Sequence, residues 1–321
     1  MEATPKTLIE AVSHFENPDN ALKYLAAIRW PNGVECPYCE AKEPMFLATR
    51  RIWKCRNAAC RKQFSVKVGS VLEDSPISLG KWLCAMWLIA NCKNGVSSYE
   101  IARDLGVTQK TAWFLLHRIR EAMQDDATGG KLAGEVEVDE TFIGGKARNM
   151  HASKRRVRIT GTGGKDKTVV MGMIERGGKV RATVVDSRRK QELQKTIREN
   201  VQAGAAIFSD ELKSYDGLDA DFQHAVINHA VEYVNGNIHT NSMENFWSLL
   251  KRGLHGTYVS VEPFHLYRYI DEQAFRFNTR MNEDGEKLND GERFRHVCSK
   301  VAGRRLTWKR LTGKDEPEQA A

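Results

Sequence analysis

Four cysteines within twenty-five residues constrain this chain more than any other feature. Cys36-Pro37-Tyr38-Cys39 forms one short-loop pair; fifteen residues separate Cys39 from Cys55, and Cys60 follows after four more. Two such pairs joined by a hairpin-length spacer can close a tetrahedron around Zn²⁺, with thiolate–metal distances of about 2.3 Å. The spacer Phe46-Leu47-Ala48-Thr49-Arg50-Arg51-Ile52-Trp53-Lys54 has the β-forming content that a zinc ribbon needs. Its second pair departs slightly from the commonest spacing, with four residues between the cysteines instead of two. Four ligands leave no open position, so a structural metal is expected, worth on the order of 10 kcal/mol to a module too small for a good core. Seven cysteines is an odd number, which suits a reduced cytoplasmic metal site better than a secreted disulfide framework. Cys84, Cys92 and Cys298 lie outside the cluster and are expected to fill core.

At 321 residues the chain has room for two or three domains. Apolar residues make up 41% and charged residues 28%, a globular balance that excludes a disordered class. A formal charge of +8 and a pI near 9.1 favour a polyanionic partner, nucleic acid before membrane. The longest apolar run, Trp82 to Ala90, falls well short of the roughly 20 residues that cross a bilayer. The N-terminal MEATPKTLIEAV lacks the basic-then-apolar pattern of a secretion signal, so a cytoplasmic location is expected.

The organisation reads as follows: residues 1–75 carry N-terminal helices and the zinc ribbon, 76–130 a helical region, 131–285 a second half that begins as strands, and 286–321 a polar tail. Asn17 is placed to cap a helix holding Ala21, Leu22, Tyr24 and Leu25. Leu79, Trp82, Leu83, Met86, Trp87 and Ile89 recur at helical spacing. From Ser98 to Trp113 the pattern is that of a helix-turn-helix: small Ala102 at a crossing, Gly106 for a turn of positive φ, Leu105 and Val107 facing core, and Thr108 as a cap. In that arrangement Gln109, Lys110 and Trp113 would lie near DNA, with Arg118 and Arg120 placed for phosphates. Ala127 to Gly134 reads as a linker.

The second half begins with three strands, around Val136–Ile143, Thr168–Ile174 and Val180–Val185. A polar helix (Lys190–Val201), a strand ending at Asp210 and two long helices (Asn241–Leu254, Pro263–Thr279) complete an α+β or α/β layered order. Alternation puts Glu135, Glu137 and Asp139 on one face of the first strand, with Val136, Val138 and Glu140 on the other. Three carboxylates on one face repel unless a cation stands near at least one of them. Asp210 closes an apolar strand, where an acid costs burial energy and so marks a site candidate. Glu244 lies on the first of the two long helices, and Lys251 follows two turns later, roughly 10 Å along the axis, placed with Arg252 for DNA phosphates. Two aspartates on adjacent strands with a glutamate on a helix can hold two Mg²⁺ ions about 4 Å apart, with Mn²⁺ as a substitute.

Taken in order, these features resemble the zinc-ribbon DDE transposases of bacterial insertion sequences, the group related to the eukaryotic Merlin elements. The resemblance covers roughly residues 15–280 and rests on Arg29-Trp30-Pro31-Asn32-Gly33 before the first cysteine pair and Phe64-Ser65-Val66 after Cys60. Val138-Asp139-Glu140-Thr141 with Gly144-Gly145-Lys146 follows, then Ser209-Asp210-Glu211 with Tyr215. His239-Thr240-Asn241-Ser242-Met243-Glu244 leads to Leu250-Lys251-Arg252-Gly253, with Gly256-Thr257-Tyr258 and Arg276-Phe277-Asn278 beyond. The resemblance implies an RNase H-like catalytic domain, metal ligands at Asp139, Asp210 and Glu244 (Asn241 being an alternative third ligand), and recognition of terminal inverted repeats. It also implies double-stranded DNA as partner, at transposon ends and target, and a homo-oligomer that holds two ends.

Lys146 to Lys167 carries eight Lys or Arg against the single acid Asp166, a loop that either clamps phosphates or is simply solvated. His229 and His239 are expected to pack or hydrogen-bond, and Phe246 and Trp247 to be core. Two other functions compete: a zinc-ribbon and helix-turn-helix DNA-binding regulator whose acids do no chemistry, and a stand-alone nuclease without strand transfer. Intact acids weigh against the first, and two DNA-binding modules ahead of the catalytic half weigh against the second.

Overall fold

Capping side chains set the starts of the early helices. The computed structural model describes residues 4–124, 130–145, 151–158, 167–227, 240–282 and 284–314. In it the Thr7 and Asn17 side chains accept backbone amides and open α1 (Leu8–Glu16) and α2 (Pro18–Arg29). Ser78 does the same for α3 (Leu79–Asn91), and Ser97 with Glu100 forms a capping box at α4 (Ser98–Leu105). Gly106, at φ +59°, ends α4, and Thr108 caps α5 (Gln109–Met123). Between α2 and α3, β1 (Met45–Leu47), β2 (Ile52–Lys54) and β3 (Gln63–Phe64) form an antiparallel sheet.

The chain divides into two units, Met1–Gln124 with Thr279–Ala321, and Asp125–Asn278. The polar tail expected over 286–321 is therefore corrected: its described part is built into the first unit. Asn289 and Glu292 form a capping box at the helix Asp290–Ser299, which buries Phe294, Val297 and Cys298. Phe294 meets Phe15, Tyr24 and Trp87 at ring-centroid distances of 5.6, 5.6 and 5.1 Å. An i, i+3, i+4 apolar stripe inside a charged segment supplies the physical reason. Cys298 fills core as expected, with its Sγ 3.9 Å from the Met86 sulfur.

The second unit is built on a five-stranded sheet of β4 (Glu135–Ile143), β5 (Thr168–Glu175), β6 (Val180–Val185), β7 (Ala206–Asp210) and β8 (Gln223–Ile227). The order is β6-β5-β4-β7-β8, with β6, β5 and β4 antiparallel and β4, β7 and β8 parallel. β8 is absent from the sequence reading; it is a short edge strand whose Gln223 and His224 break the apolar pattern. A short helix, α6 (Ala152–Arg158), lies within the basic segment expected as a loop, and Arg155 and Arg156 on it are exposed. Residues 146–150 and 159–166 of that segment, residues 127–129 of the expected linker 127–134, His229 and His239 lie outside the described residues.

On one face of the sheet α7 (Lys190–Asn200) contributes Leu193 and Ile197 to a core with Val136, Val138, Met171, Met173 and Ile207. On the other face α8 (Asn241–Gly253) and α9 (Leu266–Asn278) bring Met243, Phe246, Trp247, Leu250, Ile270 and Phe277 against Val170 and Ile174. Asn278 fastens the end of α9 to the start of β6, accepting from the Val180 amide at 2.8 Å and donating to its carbonyl at 2.9 Å. Among the described residues no helix is long and apolar enough to cross a membrane.

Candidate active site

Strand alternation on β4 sets the site. Val136 and Val138 join the core on the α7 side, while Glu137 and Asp139 meet α8 on the other. Glu137 pairs with Phe208 in the parallel register of β4 and β7. Two residues further along each strand come Asp139 and Asp210, and the charge of Asp210 reaches Asp139. Phe208 shares the Glu137 face, since the Arg176 guanidinium lies over its ring at 4.1 Å and also donates to Glu137 at 3.1 Å. The period of two then puts Asp210 on the Asp139 face.

Asp139 is held at both carboxylate oxygens, by Trp247 Nε1 on Oδ2 at 2.9 Å and by the Glu140 amide on Oδ1 at 2.8 Å. Burial pushes its pKa up to about 6, and the charges of Glu140 and Asp210 add to the rise. Glu140, on the opposite face, accepts from the Tyr215 hydroxyl at 2.7 Å and from Arg188 at 3.4 Å. Burial raises its pKa too, against the pull of the tyrosine hydrogen bond. The Leu212 amide donates to Asp210 Oδ1 at 3.1 Å, and Ser209 beside it pairs with His224 Nε2 at 2.8 Å.

Glu244 stands in the first turn of α8, exposed, one turn before Trp247. The acids Asp139, Asp210 and Glu244 do not close to the 4.8 Å mutual spacing that would surround one ion; among the described residues only the four cysteines do. Oxygen ligands divided between two ions need no such closure. Glu135 and Glu137 share Arg176, at 2.9 and 3.1 Å, which is the cation that three carboxylates on one strand face require.

Trp247, expected as core, is 4% exposed and also touches the site through its indole nitrogen. Gly172 makes room for it. It is the direct cross-strand partner of Asp139, and a Cβ there would lie 2.3 Å from Met243 Cε and 2.6 Å from the Trp247 ring. Gly172→Ala is expected to destabilise the second unit by about 1–3 kcal/mol and to displace the indole from Asp139. A urea midpoint unchanged from wild type would refute that account of the glycine.

In the zinc ribbon the Sγ atoms of Cys36, Cys39, Cys55 and Cys60 all lie within 4.8 Å of one another. Cys36 and Cys60 are 3.8 Å apart, and Cys39 and Cys55 3.5 Å. A tetrahedron with metal–sulfur bonds of about 2.3 Å has edges of about 3.8 Å, so the cluster fits zinc.

Of the residues expected at DNA, Lys110 is exposed with its ammonium 4.6 Å over the Trp308 ring, and Gln109 is half-buried and bonded to Ser98 Oγ at 2.9 Å. Lys251 is half-buried and Arg252 exposed. Arg118 and Arg120 are corrections: both are buried, at 5% and 1% exposure. Arg118 donates to the Glu73 carbonyl and lies over Trp82 and Phe114. The Arg118 guanidinium satisfies a carbonyl and stacks on rings inside the fold, and Arg120 is buried more deeply still, so neither is available to phosphates.

The family described as ISXO2-like transposase domain matches residues 131–278, and the transposase zinc-ribbon domain matches residues 16–63. An uncharacterised protein in transposable element ISH50 of Halobacterium salinarum is 27% identical over 256 residues, covering 76% of this chain and 85% of that protein. An uncharacterised transposase-like protein of Haemophilus influenzae is 33% identical over 101 residues, 31% of this chain and 81% of that protein.

Proposed function

The chain belongs to the ISXO2-like, zinc-ribbon transposases, and from that premise we propose that it binds the terminal inverted repeats of its element and cleaves and joins DNA strands with two divalent ions. The observation that carries this reading is the Glu137–Phe208 pairing of the parallel strands β4 and β7, from which Asp139 and Asp210 follow two residues along on the same face, with the Trp247 indole of α8, the helix that carries Glu244, bonded to Asp139. The strand order, three antiparallel strands followed by two parallel ones, supports an RNase H-like fold for the second unit. The α4–Gly106–α5 pair supports a helix-turn-helix that offers Lys110 and Gln109 to DNA.

Asp139, Asp210 and Glu244 would hold the ions through oxygen ligands, which suit Mg²⁺ or Mn²⁺. Such ions polarise the attacking water or 3′-hydroxyl and stabilise the leaving oxygen. The chain's own residues do the rest. Trp247 and the Glu140 amide orient the Asp139 carboxylate, the Leu212 amide orients Asp210, and Lys251 and Arg252 bind phosphates along the same helix. The thiolates of Cys36, Cys39, Cys55 and Cys60 would hold one structural Zn²⁺. The reading includes a cytoplasmic, nucleoid-associated location and a homo-oligomer that joins two ends.

The test is a duplex carrying the element's own end, incubated with Mg²⁺ and either wild type or Asp210→Asn. Wild type is expected to nick at the end. The variant should bind equally but cleave at least about a thousandfold more slowly. Mass measurement on the same complexes should give a dimer or larger. Binding without cleavage by wild type under Mg²⁺ or Mn²⁺ would instead identify a DNA-binding regulator.

A further inference from the structure

Glu137 has no solvent exposure, although it lies among carboxylates on the strand that carries Asp139. Its Oε2 accepts the backbone amides of Ser242 at 2.9 Å and Met243 at 3.1 Å. Its Oε1 accepts the Ser242 hydroxyl and Arg176 Nε, both at 3.1 Å. The two amides belong to the first turn of α8, where amides have no partner inside the helix. Thr240, at the N-cap position, makes no side-chain capping bond. The cap therefore comes from a strand more than a hundred residues earlier in the chain. An anion there also meets the positive end of the helix dipole.

A second contact lies further along the same pair of elements, where Trp247 Nε1 holds Asp139 at 2.9 Å. Glu137 and Asp139 are two residues apart on β4, roughly 6.8 Å. Their partners on α8 are four to five residues apart, roughly 6–7.5 Å along the axis. Matched spacings at two points fix both the height and the rotation of α8 against β4.

We propose that Glu137 is a positioning residue for the metal site: its cap sets α8 so that Glu244, the residue next to the second capped amide, is presented to the Asp139–Asp210 pair. The inference rests on the reading of Glu244 as a ligand. Glu137 itself touches neither ion nor DNA in this scheme. Its charge is held by Arg176 and by the helix amides, and its action passes through the backbone of α8. Gln in its place keeps the shape but turns one acceptor into a donor facing these amides or Arg176.

The test uses the full-length, zinc-loaded protein without DNA. Mn²⁺ binding is measured by calorimetry, and amide exchange at Ser242 and Met243 is measured in parallel. Four variants are compared: Glu137→Gln, Ser242→Ala, Glu244→Gln and Leu193→Ala. Leu193→Ala weakens the same unit from the opposite face of the sheet and serves as the stability control. Glu137→Gln is expected to weaken Mn²⁺ binding about 10- to 100-fold and to speed exchange at the two amides. Ser242→Ala, which loses the hydroxyl contact but keeps the carboxylate, is expected to shift Mn²⁺ binding the same way by about threefold and covers the case in which Glu137→Gln does not fold. Leu193→Ala should leave Mn²⁺ binding within about twofold of wild type. If Glu244→Gln weakens binding while Glu137→Gln and Ser242→Ala match the control, the positioning role is overturned and the ligand reading stands. If Glu244→Gln itself leaves binding unchanged, the ligand reading falls and this inference falls with it.

Discussion

Asp139→Asn is expected to abolish strand cleavage and, at pH 8 without added Mg²⁺, to make the protein more stable than wild type. Both effects follow from the same environment. Burial and the charges of Glu140 and Asp210 raise the Asp139 pKa to about 6, against an ordinary value near 3.8. Each unit corresponds to about 1.4 kcal/mol, so the ionised form costs the fold roughly 3 kcal/mol. The sign is opposite to that of a salt-bridged aspartate. Between pH 4 and 6 the folded state holds the proton while the unfolded state releases it, so stability falls as pH rises through that window and stays lower above it. Asparagine removes the slope. It also turns one carboxylate oxygen into a donor, so it cannot satisfy both the Trp247 indole and the Glu140 amide, a loss of about 1 kcal/mol. The net expectation is a gain of about 1–2 kcal/mol at pH 8 that vanishes or reverses near pH 4. Urea melts of the two proteins across this range measure it, and parallel pH slopes would refute the burial argument.

Catalysis should move the other way. A divalent ion needs the carboxylate deprotonated, so cleavage by wild type should weaken as pH falls below about 6. Loss of one anionic ligand should cost about a thousandfold or more in rate, close to 4 kcal/mol of transition-state stabilisation. Divalent ions bound there would neutralise an acid whose ionised form the fold alone tolerates poorly, so that a proposed functional site is also a stability liability.

The other large effect concerns zinc. Stripping the metal, or replacing Cys55 with alanine, is expected to unfold the β1–β3 module. Its strands are three, three and two residues long, and its buried apolar groups amount to little beyond Trp53, Phe64 and Val66. Such a core cannot offset the chain entropy of the loops around it. Structural zinc contributes on the order of 10 kcal/mol to modules of this kind, far more than the packing of Trp30 against Trp53 and Phe64 can replace. Loss of amide protection across β1–β3, with protection in β4–β7 retained, is the expected exchange pattern. Wild-type protein that carries no zinc yet protects these strands would overturn it.

Much of the fold was legible because its signals are local. Asn17 and Thr108 cap helices from within a few residues, and Gly106 ends α4 in the left-handed turn expected of it. The alternation of β4 assigned its two faces correctly, and it anticipated a cation that proved to be Arg176. The edge strand β8 was missed because an edge strand needs only one apolar face and a short one carries little periodicity. The helix Asp290–Ser299 was passed over although Asn289 and Glu292 spell a capping box, because charged residues conceal a narrow apolar stripe.

The sequence by itself determined the four-cysteine cluster, the starts of the helices that Asn17 and Thr108 cap, and the two faces of β4. Each depends on partners within a loop, a turn or a pleat, where spacing is geometry. Only the tertiary structure decided how the cations are used, and so removed Arg118 and Arg120 from the DNA-facing set. It alone put Gly172 opposite Asp139, leaving space for Trp247, and brought Glu137 to the amides of a helix 105 residues away. Those contacts join segments whose separation along the chain carries no trace of their meeting. They form because buried charges and unpaired amides must find partners wherever packing brings the elements together.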